Sequence, residues 1–296
     1  MTAPMTRTER PHFSPNDRVA LIAGSGRLPV EVAEALAKQG KAPFVILVEG
    51  EASETSTLRG YANTTMAMED VGRLQSVFRQ NNITHAVLAG GISRRPKLWH
   101  FKPRLGLIRV IPSVVAGLAG GDNRLLATLV RVFHGFGVKV LGAHEVMPEL
   151  LASEGVMTRA KPQTSDLRDL DAAWAAAKAI GKLDIGQAAV AIGGRAVELE
   201  GIEGTAGLLE RARGLRTHGR LAGKKRGVLV KCAKPDQELR ADLPSIGPET
   251  VDAVHAAGLA GIGVEADRSL ILDSAETIAR ANRLGVFIVG LGQDGK

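Results

Sequence analysis

Cysteine is nearly absent: Cys232 is the single one among 296 residues. A chain with one cysteine is no disulfide scaffold, and it suits a reducing compartment. Aromatic side chains make up only 3% of the chain, which argues against a base-stacking nucleic-acid platform. No run approaches the ~20 apolar residues of a membrane span. The opening stretch from Met1 to Asp17 lacks the apolar core of a secretory signal. With Pro4, Pro11, Pro15 and mixed charge, residues 1–17 read as a flexible tail. The default address is the cytoplasm.

What is present points to a folded protein of about two domains, at roughly 150 residues each. Apolar residues are 45% and charged residues 23%, so there is ample aliphatic material to bury. Glycine, at 35 residues, is abundant and implies tight turns and close backbone approaches. The formal net charge is +7, and its placement is uneven. Between Asp70 and Asp122 there is no acid, but there are Arg73, Arg79, Arg94, Arg95, Lys97, Lys102, Arg104 and Arg109. Between Glu210 and Asp236 there is again none, while nine lysines and arginines run from Arg211 to Lys234. Such windows attract anions. The first also carries Leu98, Trp99, Phe101 and Leu105, a mixture suited to an anionic membrane surface.

The periodicity alternates between strand and helix. Val19–Ala23, Phe44–Val48, His85–Ala89 and Lys139–Leu141 read as strands; helices are expected from Pro29, over Val71–Gln80 and over Leu125–Phe133. This alternation predicts an α/β fold with a parallel, doubly wound sheet. The pattern fades between Pro148 and Pro162, which reads as a linker. Beyond it, Leu167–Ile180 reads as a helix with Asp166 near its start and Gly181 after its end. Ala188–Ile192 and Ala196–Glu200 flank Gly193-Gly194-Arg195 as a hairpin. A helix (Thr205–Arg213), a strand (Gly227–Lys231), a helix (Pro248–Ala257), a strand (Leu270–Leu272), a helix (Glu276–Leu284) and a strand (Val286–Val289) complete a mixed α/β domain. The expected domains are therefore 18–155 and 156–296.

Three stretches are candidates for chemistry. Gly24-Ser25-Gly26-Arg27-Leu28-Pro29 lies between a strand and a helix, where backbone N–H groups make an anion site. Pro29 stands where a dinucleotide fingerprint has its third glycine, and Glu49 ends the next strand where a ribose-binding acid would sit. Gly90-Gly91-Ile92-Ser93-Arg94-Arg95 follows another strand, and ligands gather at the carboxyl edge of such sheets. The polar stretch from Lys231 to Gly247 sets Lys231, Lys234 and Arg240 among Asp236, Glu238 and Asp242, a composition suited to phosphates and a divalent cation. His144-Glu145 has no second histidine at zinc-protease spacing, and Cys232 has no histidine near it in sequence, so it reads as a small buried thiol. On these residues alone a nicotinamide-dependent oxidoreductase and a non-catalytic anion- or nucleic-acid-binding protein stay open beside a hydrolase.

Seven segments, in order, carry a resemblance. They are LIAGSGRLPVEVAEAL (21–36), VLAGGISRRP (87–96), LGAHEVMPELL (141–151), AIGKLDIGQAAV (179–190), GIEGTAGLLER (201–211), VLVKCAKPDQELRADLPSIG (228–247) and GLAGIGVEADRSLILD (258–273). The chain resembles the two-domain bacterial UDP-2,3-diacylglucosamine pyrophosphatases, once called a domain of unknown function. The resemblance implies a Rossmann-like N-terminal domain for the nucleotide side and a catalytic, lipid-binding C-terminal domain. It implies Mg²⁺-dependent hydrolysis of UDP-2,3-diacylglucosamine to UMP and 2,3-diacylglucosamine 1-phosphate (lipid X), an early cytoplasmic step of lipid A synthesis. It places the essential aspartate of the family loop at Asp242. Diphosphate hydrolysis needs cations at the phosphoryl oxygens and a carboxylate to hold a metal or orient water, so Lys231 and Lys234 are the candidate catalytic cations and Asp242 the candidate metal ligand. Substrate-binding positions expected by motif are Gly24, Ser25, Gly26, Arg27, Gly90, Gly91, Arg95, Gln187, Glu203, Gly204, Thr205 and Arg240. Glu203, Asp236 and Glu238 remain open as further metal ligands. Ser245 departs from a common threonine. The inner-leaflet surface and a second copy of the chain are further candidate partners; nucleic acid is not expected.

Overall fold

The computed structural model describes residues 10–52, 55–94, 122–235 and 237–295. Its chain divides into two compact units. One holds the described residues up to Glu149 together with a short later segment, Glu238–Asp242; the other holds Leu150–Gln237 and Leu243–Lys296.

In the first unit the order is β1 (Val19–Ala23), α1 (Leu28–Lys38), β2 (Phe44–Val48), a short α2 (Thr55–Leu58), β3 (Asn63–Met66), α3 (Val71–Gln80), β4 (His85–Ala89), α4 (Asp122–Gly135), β5 (Lys139–Leu141) and α5 (Ala143–Val146). The five strands pair in parallel in the order β3-β2-β1-β4-β5. This is the doubly wound sheet that the alternation predicts. Its chain order reverses between β1 and β4, so a crevice opens where the connections leave in opposite directions. Burial explains the helices: Val30, Val32, Ala33 and Leu36 of α1, and Leu74, Val77 and Phe78 of α3, are the buried stripes. Phe78 meets Phe133 of α4 edge-to-face at 5.2 Å. Residues 14–17 are held rather than loose, because the Lys41 ammonium donates to the carbonyls of Ser14, Pro15 and Asp17.

The second unit runs β6 (Gly155–Val156), α6 (Thr164–Lys182), β7 (Ala188–Ala191), β8 (Ala196–Leu199), α7 (Gly204–Gly214), β9 (Val228–Lys231), β10 (Ser245–Ile246), α8 (Pro248–Ala256), β11 (Gly261–Glu265), β12 (Leu270–Ile271), α9 (Ser274–Leu284) and β13 (Phe287–Leu291). Six strands form a mixed sheet in the order β6-β13-β11-β9-β7-β8, and β10 pairs with β12 in parallel. The period of two decides which side chain faces where. Val190, Leu229 and Ile288 join α7, α8 and α9 in one core, whereas Ala189, Val228, Val230 and Phe287 join α6 in the other. With both faces covered, the central strands read as continuous apolar runs.

Several elements depart from the expectation. The presumed linker carries β6, whose Val156 pairs antiparallel with Val289. Gly181 does not stop α6, which continues to Lys182. Strand β3 (NTTM) is a half-exposed edge with no apolar alternation to betray it. Strand β11 is equally silent in the sequence, since Gly261 and Gly263 depress strand propensity. The structure supplies their reason. Gly261 lies under the Phe287 ring, and a Cβ on Gly263 would stand 2.8 Å from Leu170 of α6.

Candidate active site

The two glycine turns meet at the carboxyl edge of the first sheet, beside the β1/β4 switch point. Gly24 N–H donates to Ala89 O (2.9 Å), Ser25 N–H to Gly91 O (2.8 Å) and Gly91 N–H to Ser25 O (2.9 Å), while Ser25 Oγ adds a 3.0 Å bond to Gly91 O. Gly26 and Gly90 adopt φ of +87° and +92°, the region that favours glycine. A Cβ on Gly90 would stand 2.5 Å from Ser25 O and 2.8 Å from the Pro29 ring. Pro29, the departure from the dinucleotide fingerprint, thus packs where it closes the two turns together. Gly26 and Arg27 lie exposed at the start of α1, where backbone N–H groups and the helix dipole favour an anion. Replacing Gly90 by alanine is expected to destabilise the protein by at least about 2 kcal/mol. Thermal unfolding checks this; an unchanged melting temperature would show that the turn relaxes.

The connection after β4 is anchored by buried acids that sequence reasoning did not single out. Glu51 accepts from Ser93 N–H (2.8 Å) and Ser93 Oγ (3.1 Å), and Glu69 accepts from Arg94 Nη1 (2.5 Å). Glu51 and Glu69 are each 6% exposed. Glu69 beside it, with Glu51 and Glu49 near, raises the Arg94 guanidinium above its ordinary value. Arg95 and the Trp99/Phe101 segment lie outside the described residues.

The segment Glu238–Asp242 is counted with the first unit. Glu238 N–H donates to Asn123 Oδ1 of α4 (2.7 Å), and Ala241 packs on the first unit's core. The Arg240 fork grips Glu238 through Nε (2.8 Å) and Nη2 (2.7 Å). That guanidinium holds the Glu238 carboxyl below the usual carboxylate range, and Glu238 in turn raises Arg240. A Cβ on Gly142 would press on the His144 ring and on the Arg240 backbone (3.3 Å), so glycine there admits the segment. Asp242 is exposed, and its N–H donates to Glu238 O (3.1 Å).

The remaining candidates gather at the corresponding edge of the second sheet. Lys231 ends β9 and donates to Ser245 O (3.1 Å). Lys234 Nζ pairs with Asp184 Oδ1 (2.5 Å). Gln187 O accepts from Cys232 N–H, and Glu200 joins Gln187 N–H (2.7 Å) to the Thr205 hydroxyl (2.6 Å). Gly204, at φ +72°, opens α7. Glu203 is engaged by Arg211 (2.5 Å), which holds its carboxyl low. Cys232 is 1% exposed, and burial pushes its thiol up to about 12, which fits the inert thiol expected of it. The structure therefore brings Gly24, Ser25, Gly90 and Gly91 together in one unit and Gln187, Thr205 and the end of β9 together in the other. Lys231 and Lys234 belong to the second unit, whereas Arg240 and Asp242 belong to the first.

The acid-free windows are not uncompensated in space. Arg94, Arg211, Arg226 and Lys234 each find an acid distant in sequence. Among the described residues no group of three or more His, Cys, Asp or Glu gathers to hold a metal ion, and no helix is long and apolar enough to cross a membrane.

A doubly wound sheet with glycine turns at its switch point, followed in the chain by a mixed sheet with a lysine-bearing loop at its edge, defines a two-unit α/β protein. Comparison with known proteins is specific: the chain belongs to the LpxI family, matching the model of the LpxI N-terminal domain over residues 18–150 and that of the LpxI C-terminal domain over 153–289. It is 36% identical over 276 residues to the UDP-2,3-diacylglucosamine pyrophosphatase LpxI of Caulobacter vibrioides, covering 93% of this chain and 97% of that one. A solved UDP-glucose 4-epimerase of Thermus thermophilus, in complex with NAD, aligns over 93% of this chain and 86% of its own at 13% identity and a TM-score of only 0.30.

Proposed function

We propose that this chain hydrolyses the diphosphate of UDP-2,3-diacylglucosamine in lipid A synthesis, releasing UMP and lipid X. The observation that carries the reading is the match over nearly the whole length of both chains to a pyrophosphatase of that substrate. A water oxygen bonds to the sugar-side phosphorus, its P–O bond to the UMP phosphate breaks, and UMP leaves. Negative charge spreads over the phosphoryl oxygens in the transition state, so nearby cations accelerate the step. Lys231 and Lys234 are the candidates, with Lys234 exchanging Asp184 for phosphate. Asp242 orients the water or accepts its proton. The Gly24–Arg27 turn and Gly90-Gly91 suit the UMP phosphate and nucleoside, and Gln187, Glu203, Gly204, Thr205 and Arg240 the sugar side.

Mg²⁺ fits this donor set. It takes one or two carboxylates and fills its remaining positions with water and substrate phosphate, so no all-protein cage is required. The exposed Asp242 carboxylate would hold it, and the ion would neutralise charge on the diphosphate. As a step of lipid A synthesis on a diacylated sugar nucleotide, the proposed reaction would take place at the cytoplasmic face of the inner membrane.

Phosphorus NMR of purified protein with UDP-2,3-diacylglucosamine tests the reading. UMP and lipid X are expected with Mg²⁺, and chelation by EDTA is expected to slow their formation at least 100-fold, reversibly. An intact substrate signal with folded, Mg²⁺-supplemented protein would overturn the activity, and full activity in EDTA would remove the metal.

A further inference from the structure

One ion pair in the second unit sets a buried carboxylate against a half-buried lysine, lies at the candidate edge and has no part in the chemistry above. Glu265 ends β11 at 1% exposure. The β9–β11 register pairs Val264 with Lys231, so Glu265 stands beside the chain as it leaves β9. Its Oε2 accepts from Lys178 Nζ of α6 (2.7 Å) and from Ala233 N–H (2.9 Å). Lys178 Nζ also donates to Ala233 O (3.3 Å) and sits 4.7 Å from the centre of the Trp174 ring. Arg268 approaches the other carboxylate oxygen at 3.7 Å. Both polar groups of Ala233 are therefore gripped by one pair, between the two lysines Lys231 and Lys234.

We propose that Glu265 and Lys178 are positioning residues that set the direction in which the lysine-bearing loop leaves the sheet. The proposal rests on the hydrolase reading. Burying a carboxylate is costly, and an apolar pair would join α6 to β11 at least as well. What the charged pair adds is a specific hold on one residue's backbone: the carboxylate takes its N–H, the ammonium its carbonyl. Lys234 follows directly, and its own N–H donates to Gln237 Oε1 (2.9 Å), so the hold extends into the next turn.

The test compares the full-length wild type with Glu265→Gln, Lys178→Gln, the double variant and Lys178→Arg. It measures kcat, KM, thermal unfolding and amide exchange. Each single glutamine variant is expected to lower kcat at least tenfold with KM within twofold. Lys178→Arg is expected to recover most of the rate. The double variant removes both charges of the pair and leaves Arg268, whose side chain is 17% exposed, as the cation beside it; it is expected to melt closer to the wild type than either single glutamine variant yet stay slow. Exchange at Ala233 and Lys234 is expected to rise at least tenfold while β9 and β11 stay protected. A double variant with kcat within twofold of wild type overturns the proposal, as does unchanged exchange at Ala233. Rate loss that only follows loss of protection across the whole sheet shows a structural pair and overturns it too. If the wild type itself does not hydrolyse the substrate, the hydrolase reading fails, and the exchange data still decide whether the pair holds the loop.

Discussion

Asp242→Ala is expected to lower hydrolysis of UDP-2,3-diacylglucosamine at least 1,000-fold, about 4 kcal/mol of transition-state stabilisation, with the fold intact. The side chain is exposed, so the change removes little packing and is expected to leave the fold standing. The bond from its N–H to Glu238 O belongs to the backbone and survives the change. Glu238, Arg240 and Asn123 still fasten the segment to the first unit. Loss of rate without loss of stability is the signature of a group acting on water or metal. Asp242→Asn separates the two roles: it keeps the shape and one acceptor oxygen but not the charge. The measurements are UMP release and thermal unfolding. A variant that keeps more than a tenth of the wild-type rate takes Asp242 out of the catalytic step.

The largest stability effect is expected far from that residue in sequence, at Asp166. Its carboxylate is 0% exposed and accepts from Arg226 Nε (2.9 Å) and Nη2 (2.7 Å) and from Gln163 N–H (2.8 Å) at the start of α6. Breaking a buried pair costs about 3–5 kcal/mol when the survivor stays buried. Arg226 is 45% exposed and recovers water, so Asp166→Ala is expected to cost about 2–3 kcal/mol, including roughly 1 kcal/mol for the lost cap. At about 2–4 °C per kcal/mol, the melting temperature falls by roughly 5–10 °C.

The pH dependence has a definite sign. Burial alone raises the Asp166 carboxyl, but the Arg226 guanidinium and the Gln163 N–H together hold it below the ordinary value. A carboxyl lower in the folded state stabilises above its unfolded pKa, near 4, and that contribution fades as pH falls through the folded value. The gap in melting temperature between wild type and Asp166→Ala is therefore expected to be full at about pH 6–7 and to shrink below about pH 4. A gap that does not change with pH would show that the charge contributes nothing and that packing alone is lost.

Much of the fold was legible from local signals. Phe44–Val48, Val71–Gln80 and His85–Ala89 have the predicted bounds, because an apolar strand or a helical stripe announces itself within a few residues. Gly24 and Gly90 marked the carboxyl edge, since a Cβ on Gly24 would strike the Gly91 backbone and Gly90 adopts a positive φ. The ordered segments 21–36 through 258–273 carried the family, which the matches over 18–150 and 153–289 bear out.

What tertiary structure decided has one common physical cause: the partner is remote in sequence. Strand β11 forms despite Gly261 and Gly263 because Phe287 and Leu170 fill the space a side chain would take. Val156 becomes a strand residue only because Val289 is there to pair with it. Glu238–Asp242 joins the first unit, where Asn123, 115 positions earlier, accepts the Glu238 N–H. Glu265 looks in sequence like a charged residue closing an apolar run. Lys178, 87 positions away, makes it a grip on the Ala233 backbone. The sequence by itself determined most of the elements and the family they serve; strands β3, β6 and β11, and which acid meets which cation, waited on the folded chain, because pairing partners and a carboxylate's neighbours are supplied only by folding.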